Sequence, residues 1–136
     1  EAMNVSVRRL LRGLALISFF SVALHASLAG AEPATLIGQV VCSSCWDEQD
    51  RDKVPYGNAD DLKCWKKCSV KGVPSALAVT ESGATHLVIL EYGSLKKTSG
   101  GWLPFVGKRV EVRGTLRPGE KPSFAVDEIR VLPAGK

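Results

Sequence analysis

Four cysteines, Cys42, Cys45, Cys64 and Cys68, are the whole cysteine content of this chain and fall within 27 consecutive residues. They form two dyads, Cys42-x2-Cys45 and Cys64-x3-Cys68, separated by 18 residues. Any fold that uses them together must bring the end of one segment against another segment some twenty residues later. This requirement constrains the topology more than any other feature. It also makes the redox compartment decisive: in a reducing cytosol two such dyads read as a metal site, and outside it they read as disulfides.

The N-terminal 31 residues bear on the compartment. Arg8, Arg9 and Arg12 form a basic region, an apolar stretch runs from Gly13 to Leu28, and Ala29-Gly30-Ala31 supplies a small-residue cleavage site. This pattern predicts a signal peptide, removed to leave a mature chain over 32–136. The apolar stretch of about 16 residues, interrupted by Ser18, Ser21 and His25, is shorter than the ~20 that span a bilayer. The expectation is a periplasmic or secreted protein without stable membrane insertion once the segment is cleaved. Arg8-Arg9 has the arginine pair of a twin-arginine signal, but Val7 breaks the polar position before it, so ordinary export is expected.

Charge follows from the same division. The chain has 18 basic and 14 acidic residues, for a net charge of +4. Residues 1–31 hold Arg8, Arg9, Arg12 and Glu1, which leaves 15 basic and 13 acidic residues, or +2, on the mature chain. The basic balance is partly a property of the leader and gives little reason to expect a nucleic-acid partner.

Along the mature chain, Thr35–Cys42 reads as a strand that delivers the first dyad, and Ser43-Ser44 suits a turn. The charged run Asp47–Lys53 lacks the ordered carboxylates and glycine of a calcium loop and reads as a solvated loop. Asn58 is placed as an N-cap, with Asp60 and Asp61 in the first turn of a short helix that ends near Ser69, ahead of Gly72 and Pro74. At about 100° per residue, Cys64, Cys68, Trp65 and Leu62 share one side, and Lys63, Lys66 and Lys67 the other.

The remainder is β. Ala76–Thr80 and Thr85–Tyr92 form a hairpin pattern around Glu81–Ala84. Arg109–Leu116 alternates valines with charges, and Phe124–Leu132 returns after Pro118–Pro122. Its apolar parity changes between Val126 and Ile129, which predicts a β-bulge near Asp127-Glu128. The expected fold is mainly β: a single small five-stranded OB-like barrel with one short helix after strand one and a cysteine cluster over 42–68. The segment Gly107–Gly114 with its return strand is similar to the fourth-strand region of small bacterial OB-fold domains. With Gly38-Gln39-Val40 and Gly72-Val73-Pro74 added, the mature chain resembles a class of small exported OB-like proteins with no assigned activity. A typical OB domain places its helix between strands three and four; here it follows strand one.

Three chemistries suit the cysteines. Two disulfides would staple strand one to the helix, each loop of ~20 residues contributing ~3 kcal/mol, and cross-pairing of the dyads would stabilise most. A four-thiolate site would suit tetrahedral zinc, or copper(I), which soft thiolates select. Thiol–disulfide exchange by Cys42 and Cys45 would make the protein a periplasmic oxidoreductase. For this, Lys71–Leu77 resembles the cis-proline segment of thioredoxin-like proteins, but only 28 residues separate Cys45 from Pro74, too few for the intervening thioredoxin elements. A c-type haem is excluded because Trp46, not His, follows Cys45.

No other catalytic constellation is assembled. His86 is the one imidazole of the mature chain, too few for a general base near neutral pH, and reads as a structural histidine in an apolar strand. Trp46 and Trp65 are expected to pack over the cluster, and Trp102 and Phe105 to be core or rim. Arg109, Arg113, Arg117 and Lys121 could line one face, but Glu111 interrupts them. The expected function is a non-enzymatic exported binding or accessory module for a protein or small molecule, not nucleic acid, with no cofactor required unless the cysteines hold zinc or copper(I).

Overall fold

A computed structural model describes residues 30–134; the leader segment expected over 1–31 lies almost wholly outside the described residues. Among the described residues there are five strands, β1 (Glu32–Cys42), β2 (Ser75–Glu81), β3 (Ala84–Tyr92), β4 (Arg109–Arg117) and β5 (Ser123–Val131). One α-helix, α1 (Ala59–Val70), lies between β1 and β2. Short 3-10 turns at Trp46–Glu48 and Leu103–Phe105 complete the regular structure. The fold is thus mainly β, as expected, and each strand lies within a few residues of its sequence-based bounds. The helix follows β1 only after the connection 43–58.

The sheet closes on itself in the order β1-β2-β3-β5-β4, with β4 pairing back onto β1. Closure depends on β1, which pairs with β4 from Glu32 to Gln39 and with β2 from Gln39 to Cys42. A strand shared by two partners has to bend, and Gly38 sits at the change of partner. A Cβ there would run into the Ala78 carbonyl and come within 2.8 Å of Leu77 Cγ, so the bend needs glycine. The Gln39 side chain locks the point, its Nε2 donating to the carbonyls of Tyr56 (2.9 Å) and Gly107 (2.8 Å).

The interior is apolar and without solvent access at Val40, Val110, Val112, Phe124 and Val126, with Leu77 between them. Each buried side chain of this size contributes about 1.5–3 kcal/mol. The hairpin turn Ser82-Gly83 has φ of 51° and 82°, the left-handed pair that matches strand twist in a two-residue hairpin. The hairpin tip is solvent-exposed from Thr80 to His86, which corrects the reading of His86 as a structural histidine: it stands in water. Apolar neighbours in sequence suggested burial, but the hairpin extends past the closed part of the sheet.

The bulge falls where the parity change placed it. Arg113 pairs with Glu128 and Gly114 with Val126, so Asp127 has no partner residue across the ladder. A side chain at Gly114 would overlap the Ala125 carbonyl. Asp127 accepts the Ser94 N–H (2.7 Å) and the Ser94 hydroxyl (2.9 Å), and these bonds lower its carboxyl below the ordinary value of 3.8.

Candidate functional site: a four-sulfur joint between helix and sheet

The cysteine cluster is assembled from three pieces of backbone. Cys42 is the last residue of β1, paired across the ladder with Ser75. Cys45 begins the 3-10 turn, and Cys64 and Cys68 stand one turn apart on α1. The Ser43 amide and hydroxyl both donate to the Pro74 carbonyl, at 3.3 and 2.8 Å, which fixes the intervening turn against the segment leading into β2. The Val73–Pro74 bond is trans, so the segment does not reproduce the cis-proline of thioredoxin-like proteins.

The helix is oriented by its start. Asn58 Oδ1 accepts from the amides of Asp60 and Asp61, each at 2.9 Å, and the Asp61 carboxylate reaches back to the amides of Gly57 (2.9 Å) and Asn58 (3.4 Å). This capping box satisfies the N-terminal amides from both directions. Trp65 then buries the inner face, its Nε1 donating to Ser75 Oγ at 2.8 Å. Lys63, Lys66 and Lys67 are exposed on the outer side, as the helical spacing predicts.

Arg51 is the residue that sequence reasoning missed. The run Asp47–Lys53 is largely exposed, but the Arg51 side chain is only 10% exposed and pairs at 3.2 Å with Asp61, 4% exposed. Its remaining donors bind the carbonyls of Trp46 (2.8 Å) and Cys45 (2.7 Å). The guanidinium lies 4.9 Å from the Tyr56 ring centroid and 5.6 Å from that of Trp46, within cation–π range. One side chain therefore ties the cysteine turn to the helix start. The acid was legible as an N3 capping residue; its partner ten residues upstream has no local signature.

The four sulfurs converge. Cys45 and Cys64 lie at disulfide distance, with their Cα atoms 7.0 Å apart. Cys68 Sγ is 3.6 Å from Cys45 Sγ and 4.0 Å from Cys64 Sγ. Cys42, Cys45 and Cys68 place their sulfurs within 4.8 Å of one another. Cys42 and Cys45 are 1% and 2% exposed, and Cys68 is half-buried. The geometry holds one cross-dyad pair and leaves Cys42 and Cys68 free, so of the two cross-paired disulfides in the stapling reading one is formed. Cys42 and Cys45 are not bonded to each other, though their sulfurs lie within 4.8 Å. A second set, Cys45, Glu48 and Cys64, meets the same 4.8 Å limit, which adds the exposed Glu48 to the residues able to reach the site.

A hydroxyl lies among the sulfurs. Ser44 Oγ lies 3.5 Å from Cys42 Sγ and 3.7 Å from Cys68 Sγ, within reach of both. Tyr56 accepts the Cys42 amide at 2.9 Å. Burial pushes its hydroxyl up to about 12 against the lowering effect of that bond, so the phenol stays protonated. Trp46 stacks obliquely on Tyr56, ring centroids 5.9 Å apart, and the pair shields the turn. Comparison with protein-family models, with curated proteins and with solved structures finds no match to this chain.

Proposed function

We propose that this chain is a small exported OB-like binding or accessory module whose four cysteines hold one soft, closed-shell metal ion, zinc or copper(I), as a staple between helix and barrel. The observation that carries the reading is the spacing of the sulfurs. Thiolates around a zinc ion at about 2.3 Å stand about 3.8 Å apart, and Cys68 Sγ stands 3.6 and 4.0 Å from those of Cys45 and Cys64, while Cys45 and Cys64 are at disulfide distance and have to be reduced and separate before both can ligate. The 7.0 Å between Cα atoms of Cys45 and Cys64 lies at the far limit of what a disulfide bridges. Ligands of a shared ion stand farther apart, and with the Cys45–Cys64 pair reduced a single ion would also engage Cys42, which one disulfide leaves as a buried free thiol.

A polar group beside the sulfurs favours the same reading. Four thiolates on a divalent ion carry a local charge of −2, and the Ser44 hydroxyl lies within reach of the Cys42 and Cys68 sulfurs to donate to them. The OB-like assignment draws support from the strand order β1-β2-β3-β5-β4. Export is supported by the leader pattern and by β1 starting at Glu32. Among the described residues no helix is long and apolar enough to cross a membrane. A protein or small-molecule partner is favoured over nucleic acid because the basic face is internally neutralised: Arg113 and Arg130 meet Glu111, and Arg117 meets Glu91.

Native mass spectrometry of the purified mature protein, with and without reductant, tests the proposal. One zinc or copper per chain, lost in acid with four thiols then titratable, is the expected result. A metal-free mass two or four protons light would replace the ion with one or two disulfides. Catalysed reduction of a test disulfide, abolished by Cys45→Ser, would move the protein to the oxidoreductase class.

A further inference from the structure

A groove of about 580 Å³ runs between the C-terminal half of α1 and the connection from β3 to β4. Its walls include Val73, Tyr92, Trp102 and Leu103, with Lys66 and Lys97 among the polar groups. Tyr92 and Trp102 stack with centroids 4.3 Å apart and planes inclined by 12°. Lys97 Nζ lies 5.9 Å from the Tyr92 ring. The volume is in the range of small-molecule sites, which combine apolar walls with a few convergent polar groups.

Charge distinguishes this groove from two of the other clefts. Those beside Glu111 and beside Asp127 mix carboxylates with arginine, and the carboxylates are engaged by Arg113, Arg130 and Ser94. Two lysines line the groove over α1 and no Asp or Glu does; neither lysine is held in an ion pair among the described residues. The Tyr92 hydroxyl is buried and has no hydrogen-bond partner. A buried hydroxyl without a partner costs about 1–3 kcal/mol. It lies under Gly101, where a Cβ would stand 3.2 Å from it.

From these features we propose that the groove is a binding site for a small aromatic carboxylate, its ring against the apolar wall at Tyr92 and Leu103 and its carboxylate between Lys66 and Lys97. The site is separate from the cysteine cluster, so it stands whether the sulfurs hold a metal or a disulfide.

The test uses the folded mature protein as purified, with 2-naphthoate as probe and 2-naphthamide as the uncharged control of the same shape. The expected Kd for naphthoate is about 1 mM or tighter, given 13 heavy atoms at modest ligand efficiency, with naphthamide at least 5-fold weaker. Amide NMR shifts should map to Lys97, Gly100, Gly101 and Leu103. Lys66→Glu and Lys97→Glu should each weaken naphthoate about 5-fold and leave naphthamide unchanged; both sites are exposed, so the variants fold. Leu103→Glu should abolish binding of both. Equal affinity for the two probes, shifts clustered elsewhere, or no binding at 10 mM would overturn the proposal. Capture of the groove by an acidic peptide in preference to naphthoate would likewise overturn it and make the groove a peptide site.

Discussion

The closed sheet and the cysteine joint are held by opposite means. Inside the sheet, stability is spread over many equivalent apolar contacts: Val40, Leu77, Val110, Val112, Phe124 and Val126 are interchangeable in kind, and backbone pairing closes the ring. At the joint it is concentrated in a few specific groups: four sulfurs, the Arg51–Asp61 pair, Tyr56 and the Asn58 cap. A distributed core loses stability in proportion to the volume removed. A concentrated joint fails when one member or its chemical state changes, and this makes the joint the place where metal or redox conditions can act on the fold.

The largest expected effect lies in the core. Phe124→Ala should cost about 3–5 kcal/mol in urea denaturation, by the same amount with and without reductant or chelator. Sensitivity of that loss to either reagent would show that the two regions are not independent. Arg51→Met comes next. It strands Asp61, 4% exposed at the side chain, without its cation and should cost about 3 kcal/mol. The double change Arg51→Met with Asp61→Asn should recover much of the loss; no recovery would mean that the carbonyl bonds to Cys45 and Trp46 matter more than the charge.

Removal of the cross-link should cost about 2–4 kcal/mol. Cys68→Ser distinguishes the two chemistries: it should cost nearly as much as Cys64→Ser if one ion binds all four sulfurs, and little if Cys45–Cys64 is the only link. Tyr56→Phe should cost about 1 kcal/mol, because the Cys42 amide then loses its acceptor. In the parent protein the raised Tyr56 hydroxyl favours the folded state below its unfolded value near 10, and that contribution disappears as pH rises from 10 to about 12. Fluorescence-monitored unfolding should therefore show an alkaline loss across that window which the phenylalanine variant lacks.

The smallest effect belongs to Asp127. Its lowered carboxyl adds stability above the unfolded value near 3.9 that is lost as pH falls through the folded one. Asp127→Asn should flatten the acid limb of the stability curve by slightly lowering stability at neutral pH while leaving it unchanged at a pH where the carboxyl is protonated in both states. An unchanged acid limb would show that the bulge is held by backbone pairing alone.

Much of the fold was legible because it rests on short-range rules. The capping box at Asn58 and Asp61, the alternation of β4, the parity change at Asp127 and the turn at Ser82-Gly83 all lie within a few residues of one another. His86 was misread because apolar neighbours signal burial only where the strand stays inside the closed sheet. Arg51 was missed because nothing in an acidic loop marks which cation will be drawn under two aromatic rings. The cysteines were legible as a cluster, but not their pairing.

The amino-acid sequence by itself determined which segments become strands and helix, that both dyads face one joint, and that the helix turns its lysines outward. These follow from periodicity, capping and turn chemistry, which act locally. Tertiary structure alone decided that β1 changes partner at Gly38 to close the sheet, that Cys45 stands against Cys64 and beside Cys68, that Arg51 braces the joint, and that a lysine-rimmed groove opens beside α1. Each of these depends on distances between residues far apart in the chain, set only when the whole sheet closes.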